Sequence, residues 1–576
     1  MGADLELSPA TQPRTRAALE ELAERHAVSR LWDRDATLWK SEPEHVRIIE
    51  DALGWLTVGD DVRSELGELA GFVDELREDG YSHAVLLGMG GSSLAPEVLR
   101  KVFGVRDGYL DVRVLDSTDP EAVLALAEEL DLCCTLFIVS SKSGGTTETA
   151  SFHAYFYDRL TELEGLHAGE HFIAITDEGT SLQQEAVDQC FRAVFVNPSD
   201  IGGRYSALSF FGVVPAALMG IDLERLLEGA SEVGARCADD ERLEENPGAV
   251  LGAAIGGFAR DGRDKVTLIA SPPIAPFGAW VEQLLAESTG KEGKGVLPVD
   301  LEPVGLPDEY GEDRLFVYLR LEGGTDEQQE AGVAALVAAG RPVLTVRLSS
   351  EWELGGEFLR WEVATALACA LIGIDAFDQP NVQESKDNTR RLLEGYTESG
   401  ALPEPPADVT VAADAAGLAI ALDGLLAQAR AGDYVCLQAY VTPGPAAWAE
   451  LERARLALRR RAGLATTAGY GPRFLHSTGQ YHKGGPNTGL YLQLVAADGR
   501  DASIPGQLYS FGTLKRAQAE GDLLSLLSHG RRVLRVELGT DQLAGLRSVS
   551  AALAGGVEDS ARDAVAGRER SQHTEA

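Results

Sequence analysis

Apolar and polar positions recur along this chain with two different periods, and the change between them marks its modules. Over residues 14–80, TRAALEELAERHAVSRLW and VRSELGELAGFVDELRED place apolar residues at helical spacing, which predicts an all-helical lead-in over 1–80. From 83 onward short apolar runs (HAVLLGM, DVRVLDS, CTLFIVSS, HFIAITD, RAVFVN) alternate with helix-like segments. That βαβα order predicts an α/β fold built on a doubly wound parallel sheet with both faces covered. IGGRYSALSFFGVVPAALMG (201–220) closes this first domain, 81–220, with a glycine turn and an apolar helix. A second domain, 221–395, has its first clear strand after ENPG, at KVTLIAS (265–271). The amphipathic helix AWVEQLLAEST and the strands RLFVYLRL and RPVLTVRL follow.

A Pro-rich stretch, LPEPPAD, marks a linker over 396–410, and beyond it the sequence repeats itself. AALVAAGRPVLTVRL matches LLSLLSHGRRVLRVEL, KVTLIASPPIAPFGAW matches YVCLQAYVTPGPAAW, and ESTGKEGKG matches HSTGQYHKGG. Three matches predict a third module, 411–554, related to the second by duplication. They align His476 with Glu287 and make the Arg-rich helix AELERARLALRRRAG an insertion. The polar tail, 555–576, is expected to be disordered.

Charge narrows the partners. Lys plus Arg number 51 against 90 Asp plus Glu, a net charge of −39, which opposes nucleic acid or an anionic membrane. The chain has nine lysines, and five of them (142, 291, 294, 386, 483) fall in four short motif segments where even placement gives fewer than one. The six cysteines lack metal or redox spacing and read as small buried hydrophobes. No apolar stretch has the length of a membrane span, and the first residues lack a signal peptide's apolar core, so a cytoplasmic protein is expected.

The chemistry concentrates in two loops. HAVLLGMGGSSLAPEV (83–98) and CTLFIVSSKSGGTTETA (134–150) each run from an apolar strand through a Gly/Ser turn into a helix. At such a junction free backbone N–H groups and the helix dipole form an anion site. Gly91 lets a ligand approach the backbone, while Ser92, Ser141, Ser143 and Thr146 add hydroxyls and Lys142 a charge. Nucleotide signatures are absent: there is no GxxxxGK[ST], and GMGGSS does not fit GxGxxG.

SSKSGGTTET and GMGGSSLAP instead resemble the phosphosugar loops of sugar isomerase (SIS) domains, specifically those of phosphoglucose isomerases. GGRYS (202–206), QLLAESTGK (283–291) and FDQPNVQESK (377–386) are similar to further motifs of that family in the same order, with Asn381 replacing the usual Gly. The resemblance covers roughly 80–390. It implies tandem SIS domains, interconversion of glucose 6-phosphate and fructose 6-phosphate without cofactor or metal, and a homodimer. GPRFLHSTGQYHKGGPN in the third module resembles the isomerase half of bifunctional transaldolase/phosphoglucose isomerase fusions; the lead-in is too short for a transaldolase barrel, so that activity is not expected.

Carried over by motif, Gly203, Gln283 and Gln379 contact substrate, and Glu287, Arg204 and Lys386 do the chemistry. Aldose–ketose exchange moves one proton between C1 and C2 through a cis-enediol(ate), which one carboxylate can shuttle. Glu287 sits one helical turn after Gln283, where partial burial can raise its pKa. Arg204, always protonated, suits an enediolate oxygen. Opening the pyranose ring requires a further acid/base beside Lys386. The family's His is absent downstream of Glu287, leaving His476 as the candidate and His482 as a second. A dual phosphoglucose/phosphomannose isomerase, and a non-catalytic phosphosugar-sensing SIS protein, are the alternative readings.

Overall fold

The structure is a computed structural model and describes residues 4–403, 407–411 and 415–555. The expected disorder of the tail falls, from residue 556 on, outside the described residues. The lead-in is helical except at its start, where β1 (Leu5–Leu7) pairs antiparallel with a strand of the second sheet, at Leu5↔Val346. The alternation of Leu5, Glu6 and Leu7 has period 2, but three residues are too few to outweigh the helical pattern that follows.

Three five-stranded sheets organise the rest. The first holds β2 (His83–Gly88), β3 (Asp111–Leu115), β4 (Thr135–Ser140), β5 (Phe172–Asp177) and β6 (Ala193–Asn197), all parallel, in the order β3-β2-β4-β5-β6. β4 is buried along its whole length, as a strand covered by helices on both faces must be. The second holds β7 (Lys265–Ala270), β8 (Leu297–Val299), β9 (Arg314–Leu321) and β10 (Val343–Leu348), in the order β1-β10-β9-β7-β8. Three helices, Leu223–Cys237, Pro247–Arg260 and Leu354–Ile372, extend this domain. The latter two pack so closely that a Cβ at Gly252 would lie 2.6 Å from the Ala364 carbonyl oxygen.

The third sheet holds β11 (Val409–Thr410), β12 (Tyr434–Tyr440), β13 (Ala465–Tyr470), β14 (Gly489–Val495) and β15 (Arg532–Glu537), in the order β11-β15-β14-β12-β13. Strand for strand, β10-β9-β7-β8 recurs as β15-β14-β12-β13. The parallel between the second and third modules therefore extends to their topology. The proposed alignment of Glu287 with His476 does not. Glu287 lies before β8, whereas His476 lies after β13, the strand equivalent to β8. The Arg-rich helix Pro445–Ala462 is no insertion either; between β12 and β13 it stands where Phe277–Thr289 stands between β7 and β8.

Between the second and third sheets, helix Pro380–Ser399 runs into the stretch read as linker over 396–410, and β11 (Val409–Thr410) occupies its other end. One apolar core joins the lead-in with the first and second domains, and a separate one fills the third module. Of the cysteines, only Cys237, Cys369 and Cys436 are buried; Cys133 and Cys190 are exposed and Cys134 is half-buried, so the expectation of six small buried hydrophobes holds for three of them.

Candidate active site

Residues from all three modules converge where the first sheet's loops meet the second domain. Helix Phe277–Thr289 carries Gln283 and Glu287, and it is buried on nearly every side rather than amphipathic. Gln283, Glu287, Ser288 and Thr289 on it are all buried. Glu287 is 5% exposed, and Arg204, from the turn Gly203–Tyr205, is 2% exposed. The Arg204 Nη1 lies 3.6 Å from Glu287 Oε2. The same guanidinium donates to Ser288 Oγ (2.8 Å), Gln379 Oε1 (2.9 Å) and the Ala376 carbonyl (2.6 Å). A cation this deeply buried needs such a full set of acceptors. Burial pushes the Glu287 carboxyl above the ordinary carboxylate range, with the Arg204 charge as the main counterweight.

The first loop supports this pair mechanically. An ideal Cβ at Gly91 would lie 2.0 Å from the Gly203 carbonyl oxygen, and one at Gly90 would lie 2.6 Å from that of His476. The missing side chain at Gly91 makes room for the Gly203 carbonyl, so this glycine packs the two loops against each other. Gly203 is a packing partner in the same contact. Ser92 follows in the turn Gly90–Ser92, and its carbonyl accepts from Ser140 Oγ.

In the second loop Ser141 Oγ and Thr146 Oγ1 lie 3.1 Å apart, and Thr146 precedes the helix Thr147–Glu164. Ser143 is exposed, its Oγ accepting weakly from the Gly145 N–H at 3.4 Å. Lys142 departs from expectation. Its ammonium is held by Asp177 and the Ser199 carbonyl (2.8 Å), at the end of β5 and away from the loop's hydroxyls. The carboxylate at the end of β5 supplies the opposite charge that this ammonium pairs with.

Beyond the loop lies a cavity of about 290 Å³, lined by Gly145, Thr147, Glu148, Lys386, His476 and Gln518 among others. Lys386, exposed on helix Pro380–Ser399, has no hydrogen bond or ion pair among the described residues. His476 Nε2 lies 2.9 Å from Glu148 Oε1. Gln518 Nε2 donates to the same oxygen (2.6 Å), and Thr118 Oγ1 donates to Gln518 Oε1 (2.6 Å). Burial alone would raise the Glu148 pKa, but His476, with a smaller contribution from Lys386, holds it down at about 2. The Gln283 side-chain amide donates to the His476 carbonyl (2.8 Å), so the helix bearing Glu287 touches the segment bearing His476.

His482, the other histidine considered, is a core residue. It packs against Cys436, Gln438 and Tyr491, and burial holds it well below the ordinary imidazole range. Asn381 has a partner that explains the motif's departure: its backbone N–H donates to Gln480 Oε1 (2.9 Å) while its Oδ1 accepts from Gln480 Nε2 (2.9 Å). The third module therefore docks on the second through this amide pair.

Sequence reasoning did not single out Glu148, although it lies within SSKSGGTTET, because a Glu in a first helical turn ordinarily serves the dipole. Gln518 and Thr118 carried no signal at all. His45, Asp375 and Asp378 form the one cluster with metal-ligand geometry among the described residues. His45 Nδ1 already lies 2.9 Å from Asp375, and the Lys291 ammonium lies 2.6 Å from Asp378. These carboxylates thus have protein partners, and the cluster does not fit a resident cation.

No helix among the described residues is long and apolar enough to cross a membrane. A family model for phosphoglucose isomerase matches residues 68–296. A probable glucose-6-phosphate isomerase of Haloarcula marismortui is 32% identical over 353 residues, 54% of this chain and 78% of that one. The glucose-6-phosphate isomerase of Rubrobacter xylanophilus is 30% identical over 390 residues, covering 59% and 88%. Among solved structures, a hypothetical protein of Thermus thermophilus superposes with a TM-score of 0.58 at 27% identity, over 67% of this chain and 99% of that one. With these relatives matched over most of their length, the chain belongs to the phosphoglucose isomerase family.

Proposed function

We propose that the chain interconverts glucose 6-phosphate and fructose 6-phosphate. The observation that carries this reading is the buried Glu287–Arg204 pair, set beside a cavity that presents Lys386 and His476 next to the second loop. The phosphate is held by Ser141, Ser143 and Thr146 and by the N–H groups that open helix Thr147–Glu164. Lys386 and His476 transfer protons at the ring oxygen and the anomeric hydroxyl, giving the open chain; Glu148 fixes the imidazole. Glu287 then removes the proton from one of C1 and C2 and returns it to the other. Negative charge collects meanwhile on the substrate oxygen, where Arg204 stabilises it. A raised pKa suits Glu287 to both halves of that transfer, since a group that must accept and release a proton works best near the ambient pH.

The test is a coupled assay in which fructose 6-phosphate is supplied and glucose 6-phosphate dehydrogenase reports product. Continuous reduction of NADP is expected. A purified, folded chain that gives none would overturn the assignment.

A further inference from the structure

The third sheet has a cavity of its own, of about 400 Å³. Among its lining residues are Tyr440, Val495 and Glu537, the last residues of β12, β14 and β15. It lies where the strand order reverses: β13 is on one side of β12, while β14 and β15 are on the other. In an open parallel sheet such a point leaves a crevice at the carboxyl edge, which is where ligands bind. This cavity is separate from the candidate active site. Helix Phe511–Ser528 stands between them, giving Leu514 and Gln518 to the active-site cavity and Lys515 and Ala519 to this one.

A second observation points to a ligand. Tyr440 is 1% exposed, and its hydroxyl has no hydrogen-bond partner among the described residues. A buried hydroxyl left unpaired costs stability that a ligand's own hydroxyl can return. Charges of both signs surround it. Lys515 is held by Asp119 (2.8 Å) and by Asp498, and Arg535 Nη1 donates to Gln493 Oε1 (2.7 Å). The wall carries three cations (Lys515, Arg516 and Arg535) and three carboxylates (Asp498, Glu520 and Glu537), so it offers donors and acceptors with little net charge. That favours hydroxyl groups over a phosphate, and the volume lies within the range of small-molecule sites. We propose that this cavity is a second ligand site, taking a neutral polyhydroxylated molecule of monosaccharide size with Tyr440 Oη as one of its hydrogen-bonding groups.

The test is saturation-transfer NMR on the full chain with glucitol as the probe, in the presence of saturating fructose 6-phosphate to fill the active site. Transfer to glucitol should persist. It should weaken by about threefold or more in Tyr440→Phe, which deletes only an oxygen without a partner among the described residues. Ala519→Leu, which projects a larger side chain into the cavity, should abolish it. The proposal is overturned if fructose 6-phosphate removes the signal, if no transfer is seen, or if either variant binds glucitol as the parent does.

Discussion

Gly91→Ala adds one methyl group at the contact that seats Arg204, and its effect can be worked out from the packing. The new Cβ would lie 2.0 Å from the Gly203 carbonyl oxygen, whereas real Cβ atoms stay beyond 3.0 Å. Backbone faces backbone there, so no side chain can swing aside, and the two loops must part by about 1 Å. Gly203 is bonded directly to Arg204, so the displacement passes to a guanidinium held 2.9 Å from Gln379 and 3.6 Å from Glu287. Overpacking of this kind costs roughly 1–3 kcal/mol of stability. A misplacement of about 1 Å in catalytic geometry can cost on the order of 10²-fold in turnover. The assay pairs steady-state isomerase kinetics with thermal melting, and Gly71→Ala serves as the control. Gly71 is exposed in a helix with nothing within 4 Å of a Cβ, so alanine there should be neutral or stabilising. A Gly91→Ala protein that melts with the parent and turns over within about twofold of it would refute this reasoning.

Three further outcomes are expected. Ser143→Ala and Thr146→Ala should raise KM for fructose 6-phosphate while leaving kcat nearly unchanged, since the phosphate is held alike in ground and transition states; parental KM values would contradict the loop assignment. His476→Ala should slow turnover of the pyranose while open-chain substrate still isomerises; equal slowing of both forms would exclude a role in ring opening. Glu282 is pushed up to about 8 by burial and by the neighbouring Asp300. The folded state therefore holds its proton more tightly than the unfolded chain. Its stabilising contribution is full below the ordinary carboxylate pKa and is lost as pH rises through 8. Melting of Glu282→Gln should thus gain on the parent between pH 6 and 9, and a constant difference across that range would contradict it.

The residues at the heart of the site were readable because their motifs are contiguous. GGRYS, QLLAESTGK and FDQPNVQESK each keep within one turn or helix end, so Arg204, Glu287 and Gln379 could be named before their contacts were seen. What could not be read is what those residues meet. Lys142 and Gly91 sit in motif loops, yet one turns to Asp177 and the other to Gly203, choices made by tertiary neighbours far away in sequence. The alignment of His476 with Glu287 is not supported by the strand order, and His476 owes its place as a candidate to its position beside Glu148 and Lys386. The Gln518–Glu148 contact joins residues 370 positions apart on two buried helices, and no local pattern records such a pairing. The helical spacing of polar residues around Glu287 predicts an amphipathic helix; in the fold nearly all of that helix is buried.

The central claim is that Glu287 moves the proton between C1 and C2. Its most direct test is deuterium exchange from solvent into the substrate, followed by NMR in the parent and in Glu287→Gln. The variant should bind fructose 6-phosphate as the parent does, lose exchange at C1 and C2, and turn over at least about 10²-fold more slowly. Exchange at the parental rate in a folded Glu287→Gln protein would contradict the account.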